Sequence, residues 1–461
     1  MIFESRMYHE IEPGMSAELR RLCTADDIYA FVAASGNHNP MHLEHVDEDG
    51  QKEKPLAPGL FVAALISSLL GSILPGPGTR YRDQQLTFHD YVTAGEELVA
   101  KVTVTDKEPE GVIVLATEVR RVEGGALICS GTARVLAPKT YIRYEEIDAP
   151  GLIVQRHRHF EALLEKAEAL PELATAVVCP EEQSALEGAL IAAERGLIKP
   201  ILIGNPAKIE AAAKALSKSL SGFEIVEMLS HREAARAAVE LVRAGRAQSI
   251  MKGHLHTDDL LRPMLDKEKG LRIGRRFTHV FVMDVPGVSH PLLVTDAAIN
   301  IAPDLATKVD IVQNAIDLAI SLGMETPKVG VLSAVETVNP AMPSSIDAAL
   351  LSKMAERGQI RGGVVDGPLA MDNAVDIGAA RTKGLRGPVA GHADVLVVPG
   401  IDAGNMLAKQ LAYISHAEAA GVVLGARVPV ILNSRSDSAM ARLASAAVAS
   451  IHWNRICGGN A

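Results

Sequence analysis

Cysteine is scarce in this chain. The 461 residues hold four, Cys23, Cys129, Cys179 and Cys457, none at CxxC or metal-like spacing. That excludes a disulfide framework and points to reduced thiols in a cytosolic setting. Long apolar runs are missing too. The richest window, LFVAALISSLLGSIL at 60–74, stops at PGPG and falls short of the roughly 20 residues a spanning helix needs; it reads as a buried helix. The opening MIFESRMYHEIEPG has no apolar core of the kind an export signal carries. Basic charge is also in deficit, 46 Lys and Arg against 56 Asp and Glu. This argues against a general nucleic-acid or anionic-membrane surface, so an anionic ligand must meet local basic groups. Aromatics are only 3%.

What is present is a globular composition, 48% hydrophobic and 22% charged. The length calls for two or three domains, because single cores stop growing near about 250–300 residues. Between about 86 and 137 the pattern has period two with β-branched enrichment, broken at KEPEG and VEGG, which predicts an antiparallel meander. ADDIYAFVAAS and LFVAALISSLLGSIL upstream are helical in period, and one of them is expected to fill the concave side of that sheet. After APKTYIRYEEIDAPG the texture changes. ATAVVCP, PILIGN, SIMKG, THVFVMDV, KVGVLSA, GGVVDGP, ADVLVVPG and VPVILNS alternate with Ala-rich helices. Continuous apolar strands between helices predict a mainly parallel sheet covered on both faces, with ligands at the carboxyl ends of its strands. The expected division is 1–140, a linker at 141–155, and 156–461.

The block ADDIYAFVAASGNHNPMHLE, with APGLFVAALISSLLGSILPGPGTRY and LTFHDYVTAGEEL, resembles the MaoC-like, (R)-specific enoyl-CoA hydratases of the hotdog fold. The resemblance implies an α+β hotdog domain in which an Asp and a His flank a water that adds to an enoyl thioester. His42 stands at the family's His position, whereas Asn37 occupies the place of the Asp and Pro58 the place of a further His. An amide cannot accept a proton at neutral pH, and hydration needs a group that does. Either His42 acts alone, Glu44 or Asp47 substitutes, or the domain is kept for dimerisation or acyl-CoA docking. His38 reads as exposed or loop-capping.

Downstream, MKGHLHTDDLLRPML, VTDAAINIAPDLATK, VGVLSAVETVNPAMPSSIDAALL, VVDGPLAMDNAV, VAGHADVLVVPGIDAGNMLAK and VPVILNSRSDSAMARLAS resemble the phosphate acetyltransferase and phosphate butyryltransferase family, nearer its butyryl branch. The resemblance implies a two-lobed α/β domain of the isocitrate/isopropylmalate dehydrogenase-like superfamily. It also implies reversible acyl transfer between coenzyme A and phosphate, no tightly bound cofactor, and a homo-oligomer. The partners expected are acyl-CoA, CoA and phosphate.

The residues carry a consistent chemistry. VPVILNSR ends in Asn433, Ser434 and Arg435; a hydroxyl and a forked guanidinium at a strand's carboxyl edge suit a phosphoryl or carbonyl oxygen. Asp437 is either a helix cap or the base for the thiol; the acetyl branch carries its Asp at the position of Ala441. Lys252, Gly253, His256 and Thr257 follow a strand, with Thr257 expected to cap the next helix and favour an anion there. Gly404 and Asn405 are expected in a tight turn that brings backbone amides to a ligand. Asp296 and Asn300, and Asp366, Asp372 and Asn373, are expected to line the cleft. His254 and His256 with Asp258 and Asp259 have permissible metal spacing, but no third ligand is evident, so no metal is expected. Cys179 and Trp453 read as core. Two other functions stay open: a non-catalytic acyl-CoA sensor, as a similar domain serves in some malic enzymes, and a transferase working on acyl carrier protein.

Overall fold

The computed structural model describes residues 2–43, 45–46, 52–145, 158–433 and 437–458. The chain divides into two compact units, Met1–Val154 and Gln155–Ala461.

In the first unit, helix α1 (Ala25–Ser35) starts at a capping box: Thr24 accepts from the Asp27 amide and the Asp27 carboxylate accepts from the Thr24 amide. It ends at Gly36 in the left-handed region, φ 68°. Helix α2 (Gly59–Ser72) follows. Strands β1 (Ser16–Leu22), β2 (Arg80–Phe88), β3 (Glu97–Glu108), β4 (Val112–Arg121) and β5 (Leu127–Leu136) form one antiparallel sheet in the order β1-β3-β4-β5-β2. Alternate residues of β3, Leu98, Ala100, Val102 and Val104, face one side and are buried against Val62, Leu65, Ile66 and Leu69 of α2. It is α2, through these residues, that fills the sheet; this is the hotdog arrangement. Ile2–Glu4 pairs with Arg143–Glu145, so the first residues of the expected linker are tied into this unit.

The second unit is built on an eleven-stranded sheet. Its strands are β6 (Leu173–Val178), β7 (Ile198–Gly204), β8 (Glu224–Glu227), β9 (Ser249–Lys252), β10 (Thr278–Asp284), β11 (Leu292–Thr295), β12 (Lys328–Leu332), β13 (Val364–Leu369), β14 (Val395–Val397), β15 (Glu418–Leu424) and β16 (Val430–Ile431). The order is β8-β7-β6-β9-β16-β15-β10-β11-β14-β12-β13. Two parallel wings, β8 to β16 and β11 to β13, meet through antiparallel pairings of β15 with β16 and of β10 with both β15 and β11. The sheet is therefore mainly parallel with an antiparallel centre. Helices α3 (Arg158–Glu168), α4 (Gln183–Glu194), α5 (His231–Arg243), α6 (Thr257–Met264), α7 (Leu305–Leu322), α8 (Ile401–Tyr413) and α9 (Ala439–Gly458) are among those packed on it. Residues 441 to 452 of α9 are buried without a break, because its small Ala and Ser side chains let neighbouring elements approach on every side. Among the described residues no helix is long and apolar enough to cross a membrane.

Candidate active site

The carboxyl ends of β9 and β16 open into a cavity of about 680 Å³ in the second unit, lined by Lys252, His256, Thr257, Asn405, Asn433 and Asp437 among others. Six of the residues singled out in the sequence thus meet at one opening although 185 positions separate Lys252 from Asp437. Ser434 and Arg435 lie outside the described residues; the residues on either side of them, Asn433 and Asp437, line the cavity.

Asn433 is positioned from below. Its amide nitrogen donates to Ser445 Oγ at 2.9 Å and to Asp437 Oδ2 at 3.3 Å. Ser445, on α9, also accepts from the Gly421 amide at 3.0 Å and donates to Ala441 O at 2.8 Å. One buried hydroxyl therefore joins α9, β15 and the end of β16. Ser438 starts α9: its Oγ accepts from the Ala441 amide at 3.0 Å and donates to Glu418 Oε2 at 2.7 Å. Arg442 is buried one turn into α9; burial lowers its pKa, and the Asp437 and Glu187 charges oppose that. The lining thus carries both signs, with Glu418 and Asp437 as well as Lys252 and Lys409 bordering the cavity beside His256.

Several expectations change with the geometry. Thr257 is the first helical residue of α6; His256 is the cap and its side chain forms no cap bond, and both residues line the cavity. Gly404 and Asn405 are the fourth and fifth residues of α8, not part of a tight turn. A Cβ on Gly404 would lie 2.8 Å from Val398 Cγ2 and 2.9 Å from Ala297 Cα, so this glycine permits close packing of α8. Asn405 donates to Ala297 O at 3.5 Å and faces the cavity. Gly253 likewise serves backbone approach, since a Cβ there would lie 2.3–2.4 Å from the carbonyl oxygens of Cys179 and Val178.

Asp296 and Asn300 are not in the cavity lining. The Asp296 carboxylate accepts from the amides of Ala298 and Ile299, each at 3.0 Å, and from Asn300 Nδ2 at 2.6 Å, while Asn300 also donates to Phe277 O. They hold the loop that presents Ala298 to the cavity. Asp366 accepts from the Gly367 amide, Asn373 is fully buried, and neither they nor Asp372 line the opening. His254 pairs with Glu182 at 2.9 Å while His256 faces the cavity, so the two do not form a metal pair. Lys409, Tyr413, Glu418 and Ser445 were not singled out in the sequence. Lys409 and Tyr413 extend the face of Asn405 at helical spacing, a signal visible once α8 is placed; Ser445 gives none.

The first unit has its own cavity, about 340 Å³, lined by Met41, His42, Gly59, Val62, Phe88, His89, Asp90 and Tyr91 among others. His42 is buried, and its Nδ1 lies 2.7 Å from Leu56 O. A carbonyl only accepts, so Nδ1 carries the proton and Nε2 keeps a lone pair. Asn37 is exposed, accepts from the Asn39 amide at 3.2 Å and is not in the lining. Pro58 caps α2. His38 is exposed. Glu44 and Asp47 lie outside the described residues.

These sites agree with what the chain is similar to. The family model described as "Phosphate acetyl/butaryl transferase" matches residues 230–450. A phosphate acetyltransferase of Rhizobium meliloti is 54% identical over 296 residues, 64% of this chain and 94% of that protein. The chain belongs to the phosphate acetyl/butyryl transferase family. A phosphate butyryltransferase of Clostridium beijerinckii is 40% identical, with 64% of this chain and 97% of that one covered. A branched-chain phosphotransacylase from Enterococcus faecalis superposes with a TM-score of 0.53 at 33% identity, covering 61% of this chain and 99% of that one. Family membership thus rests on the second unit. In the first, the model "MaoC like domain" matches residues 8–123, an additional domain ahead of the transferase unit.

Proposed function

We propose that the second unit exchanges an acyl group between coenzyme A and inorganic phosphate in the cavity bounded by Lys252, His256, Thr257, Asn405, Asn433 and Asp437. The convergence of these groups on one opening carries the reading. A phosphate oxygen attacks the thioester carbon, the C–O bond forms, the C–S bond breaks through a tetrahedral oxyanion, and the departing thiolate takes, by way of Asp437, the proton that the phosphate gives up, yielding CoA. Lys252 and His256 answer the phosphate charge, and Ser434 with Arg435, set between Asn433 and Asp437, grip the oxygen-rich centre. In the reverse direction Asp437 accepts the thiol proton. Holding both reactants in one cavity supplies much of the acceleration, and no covalent enzyme intermediate is required. The four free cysteines support a reducing, cytosolic setting, and the family supports a homo-oligomer.

The first unit is read as an acyl-thioester-binding domain with weak hydratase activity. His42 Nε2 is poised to accept a proton, but its usual carboxylate companion is replaced by an amide turned into its own loop. One experiment addresses both units. Full-length protein is given butyryl-CoA or acetyl-CoA with phosphate, and separately crotonyl-CoA, following thiol release and loss of conjugation. Phosphate-dependent thiol release with little hydration is expected. No release across acetyl to hexanoyl chains would favour a sensor, and preference for acyl carrier protein over free CoA would favour the carrier-protein reading.

A further inference from the structure

A second cluster lies beside the loop that feeds the cavity. Cys179 follows β6, Glu181 comes two residues later, and His231 opens α5; their ligand atoms all lie within 4.8 Å of one another. Cys179 is fully buried and held at φ 52°, backbone that a side-chain-bearing residue adopts at a cost and that concentrates at functional positions. The Glu181 side chain is 4% exposed; Lys208 Nζ lies 2.9 Å and His231 Nε2 3.9 Å from its carboxylate, which also accepts from the Asn205 amide at 3.0 Å. His254 adjoins: its Nε2 pairs with Glu182 at 2.9 Å and its ring centre is 6.3 Å from that of His231, where two imidazoles on one tetrahedral ion, with metal–nitrogen bonds of about 2.0–2.1 Å, have ring centres roughly 5 Å apart; to join the ion it exchanges Glu182 for the metal.

We propose that Cys179, Glu181 and His231 bind a borderline divalent transition-metal ion of the Zn²⁺ type, with His254 completing a tetrahedron. One sulfur, one carboxylate and two imidazoles select such an ion over Mg²⁺ or Ca²⁺, which take oxygen ligands. Ligand atoms around Zn²⁺ sit about 3.3–3.8 Å apart, so the cluster closes by roughly an ångström, chiefly through the partly exposed His231. Burial pushes the Cys179 thiol up to about 12; the ion displaces that proton, since a coordinating thiol is deprotonated outright. The Lys208 ammonium competes for the same carboxylate. The site therefore has an ammonium-paired state and a metal-bound state. His254 donates its amide to Cys179 O at 2.7 Å and stands between Lys252 and His256, so the ion braces the segment that lines the cavity.

The test uses full-length protein stripped with chelator and titrated with Co²⁺, reading sulfur-to-cobalt charge-transfer absorption, with Zn²⁺ counted by equilibrium dialysis. One ion per chain with a thiolate band is expected. Lys208→Met removes the competitor and tightens binding about tenfold, the scale of outer-shell effects on metal affinity. His231→Gln weakens it about a hundredfold, and Cys179→Ser abolishes the band. Should Cys179→Ser fail to fold, His231→Gln decides. Absence of a thiolate band in both the native and Lys208→Met proteins, or unchanged affinity in His231→Gln, overturns the site.

Discussion

At the scale of single residues, the two units differ in how completely their chemistry is assembled. His42 is buried with its tautomer fixed by Leu56 O at 2.7 Å, while Asn37 satisfies its own loop. Restoring the carboxylate with Asn37→Asp should therefore raise crotonyl-CoA hydration by about 10²-fold or more, within the range positioned acid–base catalysis supplies. The assay is loss of enoyl absorbance, and an unchanged rate would mean that the side chain at 37 does not reach the thioester. The same position shows what sequence offers at this scale. The departure at Asn37 was legible because catalysis demands a residue type, but its exposure and its bond to Asn39 were not, because a loop's path depends on what it packs against. Asp296 makes the complementary point. A polar strand end reads as a ligand group, yet its carboxylate is occupied by the amides of its own turn.

Among elements, Ser445 decides the most with the least. It ties α9 to Gly421 of β15 and to Asn433 beyond β16. Ser445→Ala leaves a buried amide on each side without this acceptor, at about 1–3 kcal/mol for an unsatisfied group. Urea unfolding should show that loss. Phosphate-dependent thiol release should also fall, because Asn433 and the residues after it lose their anchor. A stability loss with unchanged turnover would separate the two roles. Nothing in AMARLASAAVAS distinguishes this serine from Ser450, since both lie on a helix buried over most of its length. The helices α1 and α2 and the meander were readable from period and turn residues. β8 and β15 were not: EIVE is short and half-polar, and EAAGVVL carries Ala and Gly where strands are usually β-branched.

For the whole molecule, two buried histidines contribute to the response to acid. Burial lowers His279 and His452 to about 4, with Asp296 and Asp317 respectively opposing. His452 Nδ1 donates to Ser321 Oγ at 2.9 Å, since that hydroxyl already donates to Asp317 O. Both are neutral in the folded protein, whereas the unfolded chain protonates them near pH 6.5. The unfolded state then binds more protons between about pH 6.5 and 4, so stability is present above that window and is lost as pH falls through it, by about 1.4 kcal/mol per pH unit for each histidine. Urea midpoints from pH 7 to 5 should fall, and His452→Gln should flatten the slope; equal slopes would contradict the assignment. The division into Met1–Val154 and Gln155–Ala461 gives a second expectation. Residues 155–461 expressed alone should retain phosphate-dependent thiol release, while residues 1–154 alone should carry whatever crotonyl-CoA hydration the chain has. Loss of transfer from the shorter protein would make the first unit part of the transferase.

The sequence by itself determined the two-part organisation, the fold of each part and the segments proposed for the transfer chemistry, because apolar period and turn chemistry are local and the reaction restricts residue types. Tertiary structure decided which polar groups reach a cavity and which are spent on their own loops. It also brought Cys179, Glu181 and His231 within 4.8 Å of one another. Such outcomes depend on how distant strands are ordered in the sheet and how closely helices approach it, and those distances are set by packing between segments that no local pattern links.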